Sequence, residues 1–96
     1  LDKTFKKGVI QMKEITRRTK KAILAWAELP DDTSILLDDE LSRFRPAGLE
    51  ELRVELNIEF DGENGFPIDS NLWLIPELRK VCNVRDFVLD VIEGKI

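Results

Sequence analysis

Two periods compete in the stretch LRVELNIEF, residues 52–60. Leu52, Val54, Leu56, Ile58 and Phe60 alternate strictly with Arg53, Glu55, Asn57 and Glu59, which is the pattern of a half-buried strand. Leu49, Leu52, Leu56 and Phe60 also recur three, four and four apart, which aligns them on one face of a helix. A strand here would have to pair across DGENG with residues 66–75. That region is broken by Pro67, bounded by Pro76 and alternates poorly, and a lone two-stranded hairpin is marginal. For a helix, Pro46 is a good start and Gly48 is tolerable in the first turn. Glu50 and Glu51 meet the positive end of the dipole, and Leu, Glu and Arg are good helix formers. The pattern therefore predicts a helix. Val54 and Ile58 then lie nearly opposite the Leu52 face, as in a helix wedged between neighbours or offering one side to a partner.

The remaining elements follow from the same reasoning. Met12, Ile15, Thr19, Ala22 (or Ile23) and Trp26 keep helical spacing and predict a helix from about Lys13 to Glu28, stopped by Pro30. Residues 30–48 form a long connection with a turn signal at Asp31, Asp32, Thr33 and Ser34. Ile35, Leu36 and Leu37 are expected to plug into the core. DGENG, residues 61–65, is a break. Asp69 or Ser70 is expected to cap a short helical turn around Trp73, and Pro76 to open a short helix reaching Val81. Asn83, with Asp86 three residues on, resembles a capping box for a last helix carrying Val84, Phe87, Val88, Val91 and Ile92, closed at Gly94. The expected fold class is all-α, an antiparallel bundle of three main helices and one short one. Its expected core is Leu49, Leu52, Leu56, Phe60, Trp26, Trp73, Phe87, Val88 and Val91. Residues 12–96 are expected to form a single helical domain. Residues 1–11 stand as an N-terminal extension, with Met12 a candidate native start.

Composition narrows the chemistry more than the fold. The chain has 96 residues and neither His nor Tyr, so triads and zinc sites that need His cannot be built within it. No carboxylates fall in a recognisable acid/base motif, and an enzyme is not expected. Cys82 is the lone cysteine, which excludes an internal disulfide and suits a reducing compartment. With no secretory pattern and no apolar run near the roughly 20 residues of a membrane helix, a cytosolic setting is expected. Residues 1–21 hold eight Lys/Arg against two acids, a balance of +6, and residues 22–96 hold seven against seventeen, −10; together they make the net −4. The chain is an acidic body with a basic leading segment.

At this point the chain resembles the acyl carrier protein family over about residues 12–94. LPDDTSILLDDEL is similar to that family's loop after its first helix, GLEELRVELNIEF to its second helix, and KVCNVRDFVLDVIE to its ending. The resemblance implies a four-helix carrier-like bundle. The family's Asp-Ser-Leu, whose Ser carries phosphopantetheine at the start of helix two, is matched here by Ala47-Gly48-Leu49. If the register is taken from Leu52 and Phe60, the match is instead Arg45-Pro46-Ala47. Neither Gly48 nor Pro46 has a hydroxyl to esterify, so no cofactor is expected. Ser42, in ELSRF, is the nearest hydroxyl and the alternative attachment point. GFPIDSNLWL also makes the third-helix region longer than the family pattern.

The expected function is a carrier-like docking module that lacks the standard prosthetic serine. Glu51, Glu55 and Glu59 lie four apart and would form an acidic row on helix two, bordered by Val54 and Ile58. The resemblance implies that this row meets a basic surface on a partner, such as a biosynthetic enzyme; a solvated face without a partner is the plain alternative. The other functional readings are a true carrier loaded at Ser42 and an immunity-like helical inhibitor of a basic target. Lys13, Arg17, Arg18, Lys20 and Lys21 lack the interleaved aromatics of a single-strand platform, so nucleic acid is not the expected partner, nor is a membrane. Asp61, Glu63, Asn64 and Asp69 lack calcium-loop spacing, and no metal is expected. Cys82 is expected to be a small buried hydrophobe.

Overall fold

The computed structural model describes residues 11–73 and 77–95. Among them the order is α1 (Met12–Trp26), a 3₁₀ turn (Leu41–Arg43), α2 (Leu49–Glu59), α3 (Ser70–Trp73) and α4 (Val81–Ile92). The described chain is mostly helical and has no strand, only an isolated antiparallel bridge between Glu40 and Lys80. The helical period of 52–60 therefore prevails over its period of two. The reason is burial: Leu52, Leu56 and Phe60 are fully enclosed, and only the helical spacing turns all three the same way.

Helix α1 packs against both α2 and α4, and α3 packs against α2. Ile15, Ala22, Ile23 and Trp26 of α1 meet Leu52, Leu56 and Phe60 of α2, and Val81, Val84, Phe87, Val88, Val91 and Ile92 of α4, in one core. The whole stripe expected on α4 is buried. Two of the apolar positions expected on the inner faces of the helices are not in the core. Met12 is exposed, and Leu49 keeps 38% of its surface, because each stands in the first turn of its helix at the rim of the core. Ile68, from the loop after DGENG, is buried instead. Asn57 holds it there by accepting from Ile68 N at 2.7 Å and donating to Ile68 O at 3.0 Å.

The end of α1 is set by backbone geometry that the side-chain pattern does not reveal, whereas the Gly94 stop and the Asp69 cap are as expected. In α1 the stop comes before Pro30. Glu28 takes the left-handed conformation (φ 60°), Glu28 N donates to Ala25 O and Leu29 N to Leu24 O, the Schellman arrangement usually given to glycine. Helix α4 ends the same way with Gly94 in that place: Gly94 N donates to Val91 O and Lys95 N to Asp90 O. Asp69 caps α3, its Oδ1 accepting from Leu72 N at 2.8 Å.

The approach to α4 differs from expectation. Residues 77–79 are not helical, so the short helix expected up to Val81 is absent from its described part; Pro76 lies outside the described residues. Asn83 is not the N-cap but sits in the first turn of α4, which starts at Val81. Its side-chain oxygen accepts from Lys80 N at 2.8 Å and Arg79 N at 3.1 Å. The first N–H groups of α4 are satisfied from the long loop: Val81 N donates to Asp39 O at 3.0 Å and Cys82 N to Leu37 O at 2.9 Å, while Leu41 N donates to Arg79 O at 2.8 Å. Carbonyls some forty residues upstream thus replace a local cap, and α4 starts three residues early. The same pinning organises the loop itself. Ile35 and Leu41 are buried and Leu37 is partly buried, whereas Leu36, expected in the core, is 60% exposed.

Candidate functional site

Helix α2 is tied down on three sides. At its start both tryptophan indoles donate to its first carbonyls, Trp26 Nε1 to Gly48 O at 2.7 Å and Trp73 Nε1 to Leu49 O at 3.0 Å. Along one flank, Arg53 Nη1 donates to Ile68 O at 2.8 Å beside the Asn57 pair. Glu50 accepts from Arg53 Nε at 2.7 Å and from Ser70 Oγ at 3.0 Å, and these two bonds, Arg53 first, hold its carboxyl below the usual carboxylate range. At its end Arg18 bonds Glu59 at 3.1 Å and Glu63 at 3.2 Å, donates to Glu59 O, and lies 4.6 Å from the centre of the Phe60 ring.

What remains free is the outer face. Val54 is 45% and Ile58 65% exposed, and they border a shallow groove with Asn57, Asp61 and Pro67. With about 100° per residue, these two point away from Leu52 and Leu56. Glu51 and Glu55 lie beside them, Glu51 exposed and 4.0 Å from the Arg45 guanidinium, Glu55 half-buried. Glu59 does not continue the row as a free charge. A step of four residues turns about 40° around the axis, so each acid stands nearer the core edge than the last. By Glu59 the row has reached α1, and its carboxylate pairs with Arg18 and, at 3.9 Å, Lys21. The structure thus brings Val54, Ile58, Glu51 and Glu55 together on one surface and commits Glu59 to the fold.

Gly48, the position that the carrier resemblance matches to the prosthetic serine, lies at the start of α2. Gly48 is the N-cap residue with φ 96°. It has no hydroxyl, and a Cβ built on it would lie 2.8 Å from Arg45 Nη2. Arg45 is itself held there, donating to Trp26 O at 3.0 Å with its guanidinium 5.4 Å from the Trp26 ring centre. Ser42 is exposed on the 3₁₀ turn and lines a cleft of about 200 Å³ with Leu41, Arg45, Leu49 and Leu78. Glu40 lines the same cleft.

Three of the other candidates have structural roles. Glu63 pairs with Arg18, Asn64 donates to Ile92 O at 2.8 Å and Asp69 caps α3. Among the described residues no group of three or more His, Cys, Asp or Glu converges as a metal site. Cys82 lies in the first turn of α4 and is only half-buried, less enclosed than expected of a core hydrophobe. Arg18, one of the five basic residues of α1, is withdrawn into the α1–α2 clip; sequence spacing gave no sign of this, since its partners are 41 and 45 positions away. No helix among the described residues is long and apolar enough to cross a membrane.

No protein-family model, functionally described protein or solved structure matches this chain.

Proposed function

We propose that the chain is a non-catalytic docking module, an antiparallel four-helix bundle of acyl-carrier-like type that works without a prosthetic group. It docks through the outer face of α2 on a basic protein surface, in the cytosol. One observation carries this reading: Val54 and Ile58 stand exposed on the side of α2 away from its buried face, with Glu51 and Glu55 beside them. An apolar pair bordered by charge has the make-up of an interface centre with a polar rim. Glu51 and Glu55 supply the sign that selects a basic partner. Gly48, at the position of the carrier serine, supports docking in place of acyl transfer.

The test is recovery of the partner by the wild-type chain, by Glu51→Lys/Glu55→Lys and by Val54→Ala/Ile58→Ala. Charge reversal is expected to slow association and the alanine pair to hasten release. The wild-type contact should weaken with salt, since the Debye length falls from about 10 Å at 0.1 M to about 3 Å at 1 M. Equal recovery by all three proteins overturns the assignment of α2. A biosynthetic enzyme as partner fits the carrier-like reading, and a toxin-like one an immunity role. Incubation with coenzyme A and a broad phosphopantetheinyl transferase is expected to leave the intact mass unchanged. An adduct mapped to Ser42 would establish the carrier alternative in its place.

A further inference from the structure

Helix α1 has a second face that its packing does not use. Counting about 100° per residue, Lys13, Arg17, Lys20 and Lys21 fall within an arc of about 100°, with Leu24 at its centre. Leu24 lies outside the stripe that meets α2 and α4, yet it is buried. The cover is the loop after α1, whose Ile35 is buried too. Between helix and loop runs a groove of about 560 Å³, within the range of small-ligand sites. Leu24 and Ile35 form its floor. Arg17, Lys20 and Lys21 line the helix side, and Thr33, Ser34 and Asp31 line the loop side.

We propose that this groove binds a compact phosphate-bearing small molecule with two or more negative charges. Three cations in the lining face one carboxylate, that of Asp31. Arg17 is shared with Glu14, and Lys21 stands 3.9 Å from Glu59. Lys20 and Lys13 make no ion pair among the described residues. Ammonium and guanidinium donors with two hydroxyls opposite are the groups that bond phosphate oxygens. The size limit comes from the rest of the chain. Residues 22–96 carry −10, so a nucleic acid strand or an acidic peptide long enough to leave the groove would meet repulsion. A compact anion stays within about one Debye length, ~8 Å, of the lysines. Asp31, the one carboxylate in the lining, would accept a hydroxyl or amine from the organic part of the ligand. This site is separate from the outer face of α2 and does not depend on the docking function.

Calorimetric titration of the full chain with pyrophosphate and with ADP tests the proposal. Saturable one-to-one binding that falls with salt is expected for both, with ADP the tighter if its organic part also occupies the groove. Lys20→Ala/Lys21→Ala should weaken binding by about tenfold or more, since a bond to a charged group is worth at least about a factor of ten. Lys95→Ala, at the far end of the chain, should change nothing. Circular dichroism melts show whether the variants fold, and Lys20→Ala alone replaces the pair if the pair does not. Three results overturn the proposal: no saturable binding of either compound, binding indifferent to the lysine variants, or tighter binding of a single-stranded oligonucleotide or a polyglutamate peptide than of pyrophosphate.

Discussion

Placing a serine at the start of α2 should cost the protein a substantial share of its stability. The substitution is Gly48→Ser, with Ala47→Asp beside it to complete the carrier-type Asp-Ser-Leu around Leu49. Two terms oppose it. Gly48 sits at φ 96°, and holding a residue with a Cβ in such a region costs about 1–3 kcal/mol. The new Cβ would also stand 2.8 Å from Arg45 Nη2 and 2.9 Å from its Cζ. A guanidinium is the far end of a flexible chain and can swing aside, but it would then leave the Trp26 ring and the Trp26 carbonyl. Those contacts are worth about 0.5–1 and 0.5–1.5 kcal/mol. Together the two terms come to about 2–5.5 kcal/mol, a large part of the 5–15 typical of a small domain. Urea unfolding followed by circular dichroism measures it. Repeating Gly48→Ser in an Arg45→Ala background removes the crowding, and the penalty should shrink by about 1 kcal/mol, the coupling expected of touching residues. A Gly48→Ser protein within about 0.5 kcal/mol of wild type would refute both the left-handed N-cap and the placement of Arg45. Transferase labelling of the double variant carries a separate message: modification would mean that the α2 start can be read as a carrier site once a hydroxyl is supplied.

Gly65→Ala should destabilise by about 3 kcal/mol or more in the same assay, because φ is 85° and the added Cβ would fall 2.6 Å from the Val91 carbonyl oxygen and 2.5 Å from its Cγ1; a change under about 1 kcal/mol would misplace the DGENG turn. Arg18→Ala should cost about 2–4 kcal/mol, since it strips Glu63 of its partner and leaves Glu59 only Lys21, 3.9 Å away, at a site where the Arg18 and Glu59 side chains are only 17% and 19% exposed. Double substitution with Glu59→Gln should then cost less than the sum. Thr19→Val should raise stability by about 1 kcal/mol, because the Thr19 hydroxyl is buried without a hydrogen-bond partner among the described residues and valine has nearly its shape; a loss in the melt would reveal a bond that the hydroxyl makes. Glu50 is held below the usual carboxylate range by Arg53 and Ser70. Its contribution is therefore present above its unfolded value, about 4.3, and is lost as pH falls through the lower folded one. Glu50→Gln should flatten the acid limb of the melting profile, and an unchanged limb would remove Glu50 from the linkage between α2 and α3.

The amino-acid order was enough to place the long helices. Burying three or four apolar side chains on one face demands a repeat of three and four, and Leu52, Leu56 and Phe60, like Val84, Phe87, Val88, Val91 and Ile92, satisfy it wherever the rest of the chain lies. The break at DGENG, the Asp69 cap and the Gly94 stop were equally local, since each depends on groups within a few residues; α1 instead stops before Pro30, at Glu28. The same angles turn Val54 and Ile58 away from the Leu52 face, but that they stay exposed was decided by the tertiary structure. Long-range contacts decided the rest. Helix α4 begins at Val81 because carbonyls of Leu37 and Asp39 reach its first amides, and no local capping rule can see a partner that far away. Glu59 and Arg18 left the charged surface because the drift of a four-residue row brought two remote side chains to the same helix edge. Only the tertiary structure showed that Gly48 is shielded by Arg45, or that a loop closes over Leu24 to turn a basic helix face into a groove. Periodicity records which way a side chain points; what it meets there depends on the packing of segments distant in the chain.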